Sequence, residues 1–375
     1  MIKQEPITLT TQDGVKVEAL LHYDDAVKQT TALTIMHPTT DWRNHFILRH
    51  LAERGVGALG FTTRYTTREA ELILEETLLD MGAGIAFLRG RGYRHVLGIG
   101  SSGGAEIVAA YQSEASHPTI KGTPLGDPPD LTKANLSPFD GLVFLNPHMG
   151  RPLSITRNLD PSVGGDSGND PLRYDPSLDM YNPKNGPPYS EAFRKRYEEA
   201  QIERNNKITR WCQKMINEVE RAGNPLLKDL PFIVYRTAAD LHYLDKTLDP
   251  SDRSGETIWD EDARYSNYTP GPLRGNRTRL RVVTLRSWIS QRGLATSHFN
   301  VVKHAAQCRI PTTVICGTAE QGGPRHAMQI YEALPDPQKK LSWVKDATHF
   351  MRGQERQQAE TADQIVAWLR ERKLF

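Results

Sequence analysis

The sequence predicts an α/β fold: an eight-stranded, mostly parallel sheet with helices on both faces, plus an inserted, mainly helical and loop-rich segment. Three observations predict it. Short apolar runs alternate with amphipathic ones, the pattern of strands joined by crossover helices. Two alternating runs flank Asp13-Gly14, a hairpin signal. After residue 150 the alternation stops, and it resumes only after residue 306.

Each element has its own signature. Residues 7–12 and 15–23 alternate polar and apolar side chains and give an antiparallel opening pair. Residues 32–36 are mostly apolar, as in a strand buried on both faces. Phe46, Ile47, Leu51 and Ala52 recur at helical spacing, and residues 56–61 form the next apolar strand. Residues 68–88 predict a helix with Leu72, Ile73, Leu78, Leu79 and Ile85 on one side and Gly90 and Gly92 ending it. The strand near 95 and a helix follow. Residues 116–138, rich in Pro, Gly and Asp, predict an irregular loop. Residues 141–145, 310–315 and 341–344 supply the remaining strands, and residues 358–373 a closing amphipathic helix.

Inside the interruption, residues 150–190 are dense in Pro, Gly, Asn and Asp. A long helix is predicted over 189–222, where Phe193, Tyr197, Ile208, Trp211, Met215 and Val219 form a packing stripe rather than a cofactor box. A strand at 232–235 and a helix at 283–291 complete it. The expected division is therefore a core of residues 1–148 and 307–375 and a cap of residues 149–306. The cap, which offers the aromatics Tyr181, Tyr189, Trp211, Tyr235, Tyr243 and Trp259, is expected to form much of a substrate pocket; a loop-rich segment has no periodicity to say which side chains face it.

Composition narrows the function classes. The 375 residues are 38% hydrophobic and 25% charged, with a formal net charge of +2. Such a balance offers no electrostatic case for nucleic acid or membrane partners. No run reaches the roughly 18 apolar residues that span a bilayer, and the N-terminal residues lack a signal-peptide pattern. Cys212, Cys308 and Cys316 have no C-x-x-C spacing and read as reduced thiols. The expectation is a cytoplasmic protein with a small-molecule substrate, no metal and no cofactor; a homo-oligomer is left open.

Gly100-Ser101-Ser102-Gly103-Gly104 carries the chemistry. It matches G-x-S-x-G between a strand-like run at 96–99 and a helix-like run at 105–111. A strand that turns sharply into a helix through small residues exposes the middle serine on a strained corner, beside the free N–H groups of the helix start. Gly98-Ile99-Gly100-Ser101-Ser102-Gly103 also matches G-x-G-x-x-G, but it lies mid-chain and no acidic residue closes a following strand about 20 residues on.

A serine hydroxyl needs a base, and the base an orienting carboxylate. His349 lies just after the last strand, and Glu320 just after the strand before it. Both positions are carboxyl strand ends, where open parallel sheets gather reactive groups. Asp240 and Asp346 are the alternative acids. The Gly103 N–H is one oxyanion donor; the second is expected from Thr39, with Thr40 next, because Pro38 has no N–H.

Together the strand pattern, the Gly100–Gly104 elbow, His37-Pro38-Thr39-Thr40, Gly317-Thr318-Ala319-Glu320 and Thr348-His349 resemble the α/β-hydrolase superfamily over residues 1–148 and 307–375. His37-Pro38 in place of a glycine-rich loop separates the chain from lipases of the His-Gly-Gly-Gly type. The serine separates it from dehalogenases and epoxide hydrolases, whose elbow holds Asp. The resemblance implies a serine hydrolase with a Ser102–His349–Glu320 triad. Ester cleavage is the first expectation. Lactone, thioester, amide or carbon–carbon hydrolysis or acyl transfer on the same residues is the alternative, and a non-catalytic binding module is more remote.

Overall fold

The computed structural model describes residues 1–248, 280–320, 322–335, 337 and 339–375. Trp259, one of the aromatics the cap offers, lies outside them. The chain divides into two compact units, Met1–Gly150 with Phe299–Phe375, and Arg151–His298.

The first unit opens with β1 (Ile2–Thr10), β2 (Lys16–Asp24), β3 (Thr31–Met36), α1 (Phe46–Ala52), β4 (Gly57–Phe61), α2 (Leu74–Gly90), β5 (His95–Ser102), α3 (Gly104–Ser116) and β6 (Gly141–Pro147). The second unit holds α4 (Arg151–Asn158), β7 (Val163–Gly164), β8 (Asp170–Tyr174), α5 (Glu191–Ala222), β9 (Pro231–Val234), β10 (Arg281–Thr284) and α6 (Leu285–Gln291). The first unit then closes with α7 (Val301–Ala305), β11 (Thr312–Gly317), α8 (Gly323–Ala333), β12 (Lys340–Val344) and α9 (Glu355–Glu371).

Eight strands form one sheet in the order β1-β2-β4-β3-β5-β6-β11-β12. The β1–β2 and β2–β4 pairs are antiparallel; from β4 to β12 every pair is parallel. All eight predicted strands are present, and the serine motif sits on the fifth. The central strands β3, β4 and β6 are buried at every position, which is why they read as apolar runs without alternation. One core cluster joins Ile35, Leu97, Ile99, Val143 and Ile315 to Ile365 and Trp368 of α9.

Three expectations shift. The helix expected over 68–88 splits into a 3-10 turn at Glu69–Glu71 and α2, because Leu72 and Ile73 take extended backbone angles and the Leu72 side chain is fully buried. The helix expected over 283–291 begins as strand β10: Val282 and Val283 pair with Ile233 and Phe232 of β9, and Thr284 then caps α6 by accepting from Ser287 N. The second unit ends at His298 rather than 306, since Val301, His304 and Ala305 of α7 are buried against the first unit's own helices α3 and α8.

The second unit has its own core. Ser190 caps α5 by accepting from Phe193 N at 3.2 Å, and Gly223 closes it at φ 65°. Tyr181, Tyr189, Phe193 and Tyr197 cluster, and the three tyrosine hydroxyls donate to the carbonyls of Ala238, Met180 and Ala239. Tyr181 and Tyr189 are therefore packed inside this unit: a buried phenol satisfied by a carbonyl is a structural element. Among the described residues no helix is long and apolar enough to cross a membrane.

Because β6 and β11 are paired neighbours, the chain leaves the sheet and returns to it at one place, where Val301 N–H donates to the Met149 carbonyl at 3.3 Å.

Ile35 is fully buried on central strand β3. Ile35→Ala is expected to cost about 3 kcal/mol through the lost burial and the cavity left behind, read as a lower urea midpoint.

Candidate active site

Ser102 ends β5 and takes a left-handed φ of 49°. Two glycines make this corner buildable. A Cβ on Gly100 would strike Val108 Cγ2 of α3, and one on Gly104 would strike the Met36 carbonyl oxygen at the end of β3. Gly103 then opens α3, whose first N–H groups have no intrahelical acceptors. On the other side, Ser101 pairs with Leu145 but Ser102 pairs with Pro147, so the register skips Asn146. The skipped residue bulges out of the ladder, with φ 43°. Ser102 is 6% exposed, and its carbonyl accepts from His148 N at 3.1 Å.

Glu320 and His349 are brought together: His349 Nδ1 lies 2.8 Å from Glu320 Oε1. The carboxylate only accepts, so Nδ1 carries the proton and donates it, leaving Nε2 as the ring's lone-pair nitrogen. Burial disfavours the imidazolium, but the charge and hydrogen bond of Glu320 outweigh it and hold the His349 pKa above its ordinary 6.5. Glu320 is 3% exposed, and its second oxygen, Oε2, has no hydrogen-bond partner among the described residues. Gly323 makes room for this side chain, since a Cβ there would overlap Glu320 Cγ. The His148 ring stacks on His349 with centroids 5.1 Å apart and planes 19° apart. Phe350 meets the same ring edge-on at 4.4 Å.

Of the alternative acids, the Asp240 carboxylate is engaged elsewhere, and the Asp346 backbone is held in the loop after β12. Asp240 bonds His242 in the second unit, Oδ1 to Nδ1 at 2.5 Å. Asp346 follows β12 at φ 57°, with its N–H on Thr318 Oγ1 and its carbonyl accepting from Gln354 Nε2.

Asn146 is a residue that sequence reasoning missed. Its Oδ1 accepts from Gly317 N at 2.8 Å, and its Nδ2 donates to the carbonyls of His349 at 2.9 Å and Thr348 at 3.3 Å. One buried carboxamide thus ties the end of β11, which leads to Glu320, to the loop that carries His349. These two segments already touch, for a Cβ on Gly317 would strike the Ala347 carbonyl oxygen. The available signal was an amide ending an apolar strand, since Asn is among the few residues that visit the left-handed region readily.

The loop after β3 holds the other expected donor. His37 Nδ1 accepts from both Thr39 N at 3.2 Å and Thr40 N at 3.1 Å. An accepting Nδ1 places the His37 proton on Nε2. Thr63 Oγ1 donates to the Pro38 carbonyl and Thr67 N to that of Thr39, which fixes the loop's far side. The contact between Gly104 and Met36 sets this loop against the start of α3.

A scan against protein-family models finds no match, and a search of curated proteins finds none. Solved structures do match. The α/β hydrolase GrgF from Penicillium sp. sh18 aligns at 10% identity with a TM-score of 0.54, covering 98% of this chain and 98% of that one. DcsB, solved in complex with its substrate analogue, aligns at 11% identity with a TM-score of 0.55, covering 98% and 99%. The sheet order and these likenesses define the fold as that of the α/β hydrolases.

Asn146→Ala is expected to cost about 2 kcal/mol, because the Gly317 N–H and the His349 carbonyl lose their partner. Asn146→Gly keeps the left-handed backbone without steric penalty and is expected to lose roughly 0.5–1 kcal/mol less. Urea unfolding of both variants against the parent checks that order.

Proposed function

We propose that the chain is a serine hydrolase that cleaves a carboxylic ester through an acyl-enzyme on Ser102. The observation that carries this reading is the part-buried Glu320–His349 hydrogen bond at 2.8 Å, on the same carboxyl edge of the parallel sheet as a serine held at φ 49°.

In this mechanism the Ser102 hydroxyl attacks the ester carbonyl, and His349 Nε2 takes its proton. Glu320 stabilises the imidazolium that forms and fixes the tautomer. The Gly103 N–H and the Thr39 N–H stabilise the oxyanion. Thr39 now serves the neutral His37 Nδ1 through a 3.2 Å bond, which a charged oxyanion competes for on favourable terms. His349 then protonates the leaving alcohol, and a water molecule activated the same way releases the acid.

Two outcomes are expected. A fluorophosphonate probe labels the protein and fails to label Ser102→Ala. Absence of label on the folded parent protein, checked by intact mass, counts against the proposal. A panel of p-nitrophenyl esters set against thioesters, lactones and amides then ranks the bond cleaved.

The pH dependence has a definite sign. His349 acts as a base only when neutral, and its pKa lies above 6.5, so kcat/KM rises with pH through an inflection above 6.5. Glu320→Gln removes the carboxylate that raises this pKa and leaves burial, which lowers it. The inflection moves to lower pH, and kcat falls by about 10⁴-fold.

A further inference from the structure

Two imidazoles and a carboxylate converge beside the elbow. His148, Glu320 and His349 each offer one ligand atom, and the three atoms lie within 4.8 Å of one another. The two imidazole rings are stacked, with centroids 5.1 Å apart. Glu320 is 97% withdrawn from solvent by its 3% exposure, yet its Oε2 has no hydrogen-bond partner among the described residues. A buried carboxylate oxygen in that condition lacks a donor or a cation.

Two histidines and one carboxylate are the protein ligands of open zinc sites, with bonds of about 2.0–2.2 Å. Tetrahedral ligands at that distance stand about 3.4 Å apart. The separations here are at most 4.8 Å, so no pair must close by more than about 1.4 Å.

We propose that His148, Glu320 and His349 form a reversible zinc site that switches the enzyme off. The ion accepts a lone pair from each residue, and no bond is oxidised or reduced. Ligation through His349 Nδ1 moves the ring proton to Nε2. That nitrogen becomes a donor, and Ser102 loses its base. The binding site stands on its own residues; only the inhibitory consequence rests on the proposed function.

The test uses the full chain with zinc chloride alone. Isothermal titration is expected to show one zinc per chain in the parent protein and at least tenfold weaker binding in both His148→Ala and His148→Phe. The phenylalanine preserves the ring stack without a lone pair and guards against a folding artefact, and a zinc-dependent rise in melting temperature must vanish with it. Zinc is also expected to slow fluorophosphonate labelling of the parent at least tenfold and to leave the labelling rate of His148→Phe nearly unchanged. No zinc binding by the parent, or equal binding by the His148 variants, overturns the site. Intact zinc binding in a protein that takes no label even without zinc overturns the hydrolase reading and keeps the site.

Discussion

A serine forced into the left-handed region at the end of a parallel strand is the constraint around which the first unit is arranged. Ser102 at φ 49° has close company: Asn146 at 43° follows on β6, and Asp346 at 57° follows β12. Each such residue costs about 1–3 kcal/mol and persists only where its surroundings over-determine it. Here the surroundings are specific. Gly100 and Gly104 admit α3 and Met36 within contact distance, a register skip against β6 frees Asn146, and the Asn146 carboxamide spans two strand ends. Strain at the sheet edge is thus held by a sheet whose interior strands are fully buried.

Electrostatics in the same unit turns on whether a carboxylate is present. His45 and His349 are both partly withdrawn from water. His45 accepts from Ile47 N at the start of α1, and burial with the nearby His349 charge drives its pKa down to about 3. His349 suffers the same burial but faces Glu320, and its pKa rises instead. Only the second can change protonation near neutral pH. The thiols follow the burial rule alone or nearly so: Cys308 is pushed up to about 12, and Cys212 and Cys316 are also raised. None is a competing nucleophile.

The sheet was legible in the sequence because its strands are short, apolar and separated by helices, and burial on both faces leaves a signal that needs no partner to be read. The elbow, Glu320 and His349 were legible because they sit at strand ends in a fixed order. Asn146 was not, since its importance comes from a bulge and from two loops that meet only in three dimensions. The Leu72–Ile73 break in the second helix was hidden for a similar reason: apolar residues at helical spacing read as helix even where one of them is buried by an extended turn. The packing of Tyr181 and Tyr189 was hidden because a loop-rich segment carries no periodicity to reveal that their hydroxyls end on backbone carbonyls.

The Met149–Val301 hydrogen bond has a consequence for how this chain tolerates change. Residues 151–298 leave and rejoin the first unit's chain through one socket, whose two ends are a hydrogen bond apart. Lengthening a closed excursion costs little, about 0.6 kcal/mol for each doubling, and neither β6 nor β11 has to stretch for it. The socket therefore separates two inheritances. The strand ends can keep one constellation of side chains while the excursion is lengthened, trimmed or exchanged for another whose ends lie equally close, much as a lens is changed on a fixed mount.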